Sequence, residues 1–152
     1  LIKTEGSIFN HNNIIIALKE NNIVGILVYL TSSTNLSFNY CELTKVNKNF
    51  NYTINKYINK INDNIKPNDL YIPNICVDEH NRNLKIGTNL INHIKNLYPT
   101  HTLTLHCLKN NKPALNLYIK NNFKIVKKLK GFNSPLKFKP SIYEMSYSNN
   151  AK

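Results

Sequence analysis

The chain has 152 residues and a formal charge of +12, from 20 Lys and Arg against 8 Asp and Glu. That length suits one domain with its own core. Apolar runs such as Ile23 to Leu30 are far too short to span a bilayer, and nothing reads as a signal peptide. Cys41, Cys76 and Cys107 are odd in number and have no paired spacing, which argues against a disulfide framework. Cys76 and Cys107 lie in apolar strand-like runs, so both read as buried thiols in a reducing, cytoplasmic setting.

Asn13 to Lys19 and Ile23 to Thr31 are β-branched runs joined through Glu20-Asn21-Asn22, a hairpin signal. Gly25 weakens the second strand unless a bulge or a close neighbour requires it. From Lys45 to Lys66, apolar residues recur every three or four positions (Phe50, Ile54, Tyr57, Ile58, Ile61, Ile65), which predicts an amphipathic helix inserted at about 45–66 and ended by Pro67-Asn68-Asp69. Leu70 to Val77 is apolar on nearly every residue, the pattern of a strand covered on both faces. A polar loop with the only arginine, Arg82, follows. Ile86, Leu90, Ile91, Ile94 and Leu97 then mark one face of a helix that Pro99 closes.

Thr102 to Leu108 alternates, with Leu103, Leu105 and Cys107 on one face and Thr102, Thr104 and His106 on the other. Asn111 can cap a helix over 112–121 with Pro113 in its first turn, and Asn122 suits a left-handed exit. Phe123 to Leu129 and Ile142 to Ser148 complete the chain as strands around the loop from Lys130 to Ser141. The order is β-β-α-β-α-β-α-β-β, a mixed α/β sheet in a single domain spanning 1–152, with two helical connections able to join parallel strands.

The junction from Leu70 to Thr88 has a chemistry of its own. A strand–loop–helix turn aims backbone N–H groups at one point, where the helix dipole also favours an anion, and phosphate is the natural guest. The residues there, Val77-(x)4-Arg82-x-x-Lys85-x-Gly87-Thr88, resemble the acyl-CoA motif of the GCN5-related N-acetyltransferases (GNAT), Gln/Arg-x-x-Gly-x-Gly/Ala. Leu105-His106-(x)4-Asn111-x-x-Ala114-x-x-Leu117-Tyr118-x-Lys120-x-Asn122-Phe123 resembles the motif that follows it in that family. The two occur in order, each on the expected element, and the resemblance covers roughly Asn13 to Tyr147.

The resemblance implies a GNAT-like mixed central sheet with helices on both faces, splayed parallel strands forming an acetyl-CoA cleft, and family-typical N-terminal elements lacking. It implies acetyl-CoA as co-substrate with no metal, and acetyl transfer to a primary amine by direct attack in a ternary complex. Arg82, Asn83, Leu84, Lys85, Ile86, Gly87 and Thr88 would bind the pyrophosphate, and Ile75, Cys76 and Val77 the pantetheine arm. On the second motif, Asn111, Ala114 and Tyr118 would contact the co-substrate, with Tyr118 as general acid. Lys85 departs from the motif, which has glycine there; its ammonium either reaches a phosphate or points to solvent.

The Leu-His pair also resembles eukaryotic N-terminal acetyltransferase subunits, which implies His106 as base with Tyr71 beside it. Histidine, with a pKa near 6.5, suits an α-amine near 8 better than a lysine near 10.4. Asp78, Glu79 and Glu144 are the reserve bases. The acceptor is expected to be a peptide N-terminus or, failing that, a small-molecule amine such as a polyamine, amino sugar or antibiotic, on a monomer or homodimer. A non-catalytic CoA-binding module is the other class of reading. The charge suggests a polyanion, with ten lysines and one acid from His101 to Lys152. No nucleic-acid motif accompanies it, so nucleic acid is not the expected partner.

Overall fold

The computed structural model describes residues 11–34, 65–130 and 141–149. Strands β1 (Ile14–Lys19) and β2 (Asn22–Thr31) form the expected hairpin. Its loop is two residues long, because Glu20 and Asn21 both take positive φ, 51° and 62°. That is the turn whose twist matches paired strands, and Asn22 joins β2 instead of the loop. The predicted helix over 45–66 and the loop over 130–141 fall almost wholly outside the described residues.

β3 (Asp69–Val77), α1 (Ile86–Leu97), β4 (Thr102–Leu108), α2 (Lys112–Lys120), β5 (Lys124–Lys130) and β6 (Ser141–Tyr147) follow. The sheet order is β1-β2-β3-β4-β6-β5. β3 and β4 are parallel across α1; every other pairing is antiparallel. The second helical connection therefore does not join adjacent strands, since β6 returns between β4 and β5.

α1 packs over β1, β2 and β3, and α2 over β4. Between this layer and the sheet lie Leu27, Leu70, Leu103, Leu105, Ile91, Ile94 and Met145, all 1 % exposed or less. Burying each such side chain contributes about 1.5–3 kcal/mol before entropy is counted. Leu97, on the face that the periodicity assigns to the core, is instead 52 % exposed at the last turn of the helix.

Gly25 has the close neighbour its position requires. A Cβ there would lie 2.9 Å from Ile86 Cγ2 and 3.3 Å from both Leu90 Cδ1 and the Cys76 carbonyl. Its missing side chain lets α1 sit directly on β2, and so fixes where the first turn of α1 meets the end of β3.

Candidate active site

The cleft begins where β3 and β4 part. They pair only from Asp69↔Thr102 to Ile72↔Leu105, with the Thr104 hydroxyl donating to the Leu70 carbonyl at 3.2 Å just below the fork. On its other side β3 slips register against β2: Tyr71 faces Leu30 and Asn74 faces Val28, so Ile72 and Pro73 together oppose Tyr29. Such a bulge bends the strand, and Pro73 has no N–H to give to a ladder. The backbone edge of Pro73 to Val77 turned towards β4 is thereby released, which is the edge expected to receive a pantetheine arm.

The same bulge corrects two expectations. β3 is buried on both faces only from Leu70 to Ile72; beyond the slip it alternates, with Asn74 and Cys76 exposed and Ile75 and Val77 half-buried. Cys76 would have shared the core face of Leu70 and Ile72 in an unbroken strand. The extra residue inverts it, so its thiol is exposed, whereas that of Cys107 is buried as expected.

At the mouth of the fork stands the N-terminus of α1. Its cap residue, Lys85, makes no side-chain capping bond, and no acid lies in its first turn. The helix ladder opens with the Asn89 N–H donating to the Lys85 carbonyl at 2.9 Å, so the N–H groups of Ile86, Gly87 and Thr88 precede it. Uncapped donors at the positive end of a helix dipole suit a diphosphate. Asn83 and Lys85 both have positive φ, 65° and 59°. Asparagine tolerates that region, but lysine carries a steric cost of about 1–2 kcal/mol there, which explains why the related motif favours glycine.

Arg82, Asn83, Leu84 and Lys85 are all exposed. Gly87 is buried because α1 crosses α2 at this point: a Cβ would lie 3.0 Å from Leu117 Cδ2. Asp78 and Glu79, the reserve bases, do not cap α1. The Asn81 amide donates to the Asp78 carboxylate at 2.7 Å and holds it below the usual range, and Glu79 pairs with His80 in solvent.

α2 forms the other wall. Asn111 caps it by accepting from the Ala114 N–H at 3.2 Å, with Pro113 in the first turn. At the far end Asn122 has φ 64°, and the N–H groups of Phe123 and Asn122 donate to the carbonyls of Tyr118 and Ile119, both at 3.0 Å. This Schellman exit packs Phe123 against Tyr118, ring centroids 5.9 Å apart. Burial pushes the Tyr118 phenol up to about 12, with the Cys107 thiol adding to the effect. Asn121, 6 % exposed, carries a connection that sequence reading passed over. Its amide donates to the Leu117 carbonyl at 2.8 Å and reaches the Thr88 hydroxyl at 3.4 Å, tying the end of α2 to the first turn of α1. Nothing local marks it, since an asparagine at a helix end reads as an ordinary terminus.

On the opposite face of β4, Tyr71, His106 and Glu144 come together from three strands. The Tyr71 hydroxyl lies 3.0 Å from His106 Nδ1. His106 pairs across the ladder with Glu144, whose carboxylate is 3.8 Å from Nε2, a loose ion-pair contact. Burial pulls the imidazole below its ordinary range, and Glu144 opposes that shift.

A forked parallel pair, an uncapped helix N-terminus at its mouth and a buried tyrosine on the next helix define an acyl-CoA-dependent acyltransferase. The chain belongs to the acetyltransferase (GNAT) family, whose profile matches residues 4–123. It is an N-acetyltransferase that uses acetyl-CoA. No curated protein matches it in sequence. Among solved structures it resembles an N-acetyltransferase from Staphylococcus aureus Mu50, at 18 % identity and TM-score 0.66, covering 93 % of this chain and 73 % of that one. It also resembles Arabidopsis thaliana Naa50 in complex with the bisubstrate analogue CoA-Ac-MVNAL, at 19 % identity and TM-score 0.58, covering 89 % and 72 %. A putative streptothricin acetyltransferase from Bacillus anthracis in complex with acetyl coenzyme A is similar at 22 % identity and TM-score 0.59, covering 89 % and 61 %. At these identities the likeness is one of fold.

Proposed function

We propose that this acetyltransferase acts on the free α-amine of a polypeptide, which attacks the thioester directly in a ternary complex. The observation that carries the reading is the Tyr71 hydroxyl 3.0 Å from His106 Nδ1, on the face of β4 opposite Tyr118. A histidine whose pKa is lowered by burial is neutral, and able to take a proton, throughout the neutral range. Such a base suits an α-amine: at pH 7 about one in ten is already unprotonated, against fewer than about one in a thousand lysine side chains.

Each wall then has its task. The N–H groups of Ile86, Gly87 and Thr88, with the loop from Arg82 to Lys85, hold the diphosphate of acetyl-CoA. The edge from Ile75 to Val77 holds the pantetheine arm, with Asn111 and Ala114 flanking it from α2. Tyr118, held protonated by burial, donates a hydrogen bond to the departing sulfur, and complete proton transfer is not needed for it to stabilise charge developing there.

The experiment is an acceptor screen by mass spectrometry, with peptides bearing free or blocked N-termini beside polyamines, amino sugars and aminoglycoside-like amines. Acetylation of the free N-terminus, lost on blocking it while an internal lysine stays unmodified, is the expected result. Turnover confined to small amines would replace this acceptor with the small-molecule class.

A further inference from the structure

The mechanism above uses His106 and Tyr71 but gives no task to the carboxylate beside them. Glu144 stands directly across the ladder from His106, its side chain 35 % exposed against 19 % for the imidazole. It is the single acid between His101 and Lys152, where ten lysines surround it in sequence. We propose that Glu144 is a positioning residue for the base: it holds the His106 proton on Nε2, so that Nδ1 presents its lone pair to Tyr71. The proposal rests on His106 acting as the base.

Geometry supplies the argument. A neutral imidazole has one N–H and one lone pair, and its neighbours decide which nitrogen carries which. An anionic oxygen 3.8 Å from Nε2 favours the N–H on that side. Nδ1 then accepts from the Tyr71 hydroxyl at 3.0 Å. The proton balance follows. An N–H bond of the acceptor ammonium breaks as its proton passes to the Tyr71 oxygen; the Tyr71 proton passes to Nδ1; the amine keeps the electron pair. The imidazolium so formed has N–H groups on both sides, one towards Tyr71 and one towards the Glu144 carboxylate, which offsets its charge. A nucleophile, a histidine and an orienting acid share the work in the same way in hydrolytic triads.

The charged and titratable groups facing the ring can be named by strand. Among the described residues they are Tyr71 on β3 and Glu144 on β6, with Lys127 on β5 beside Glu144 in the ladder. α1 and α2 pack on the other face of the sheet.

The test compares E144Q, H106A and the parent protein by two readouts. The first is the ring tautomer, from ¹⁵N–¹H correlation spectra of the histidines, with the His106 signals identified by their loss in H106A. The parent should carry the proton on Nε2, and E144Q should shift population to Nδ1–H and titrate at lower pH. The second is the pH dependence of kcat/KM on an accepted amine. E144Q should lower the plateau by about tenfold or more and move the acid limb to lower pH, because the carboxylate that stabilises the imidazolium is gone. An Nδ1–H parent, or an acid limb unmoved in E144Q, overturns the role of Glu144. Persistence of that limb in H106A would instead overturn His106 as base, and the spectra still decide the tautomer.

Discussion

At the residue scale, Tyr118 and Lys85 have opposite relations to their surroundings. Tyr118 is buried at 9 % exposure and packed on Phe123, and burial keeps its hydroxyl protonated through the neutral range. Tyr118→Phe keeps the packing and removes only the O–H. It should lower kcat by about a hundredfold while leaving acetyl-CoA affinity nearly intact; turnover unchanged in steady-state assays would remove Tyr118 from the reaction. Lys85 holds a left-handed conformation for which its side chain is ill suited. Lys85→Gly should therefore stabilise the fold by up to about 1 kcal/mol, read as a raised denaturant midpoint. The same variant answers what the ammonium does: a weaker acetyl-CoA affinity by calorimetry identifies it as a phosphate contact, and an unchanged one leaves it in solvent.

At the element scale, the site is an arrangement of ends. The end of β3, the start of α1 and the C-terminal half of α2 come together where two glycines allow close approach, Gly25 under α1 and Gly87 against Leu117. Gly25→Ala would bring a methyl into Ile86 Cγ2, part of a β-branched side chain with little freedom to turn aside, and towards the rigid Cys76 carbonyl. We expect a destabilisation of about 1–3 kcal/mol, together with weaker acetyl-CoA binding if the first turn of α1 holds the diphosphate as proposed. A stability loss with unaltered affinity would show that this turn is positioned from elsewhere. The helix signals were legible in advance: the Asn111 cap, the Pro113 first turn and the left-handed Asn122 are local chemistry, and each stands where the sequence put it. Cys76 lies in an apolar run, yet its exposure follows from the register slip of β3 against β2, a long-range pairing that no local signal marks.

For the whole molecule, acetyl-CoA should act as a staple. Its diphosphate, pantetheine and sulfur would each engage a different element, α1, β3 and α2, that the fork holds apart. A ligand binding only the folded state stabilises by mass action, about 2.7 kcal/mol at a hundredfold excess over Kd. A concentration-dependent rise in Tm is the expected outcome. The rise should be larger for acetyl-CoA than for inorganic diphosphate, which can engage only the loop and the start of α1; equal shifts would mean that the strand edge and α2 contribute nothing.

Taken alone, the sequence determined the order of the described elements, the core face of β4, the caps of α2 and the two motifs that resemble those of its family. All of these arise from periodicity or from contacts a few residues apart. Only the tertiary structure decided that β3 slips at Ile72 and Pro73, that β3 and β4 part there, and that Glu144 joins Tyr71 and His106 from a third strand. Pro73 was visible in the sequence, but a proline in an apolar run does not say which neighbouring strand it will part from. That depends on the partner on each side, which is set by long-range pairing. The junction from Leu70 to Thr88 thus announced its chemistry locally, while its geometry came from β2 and β4.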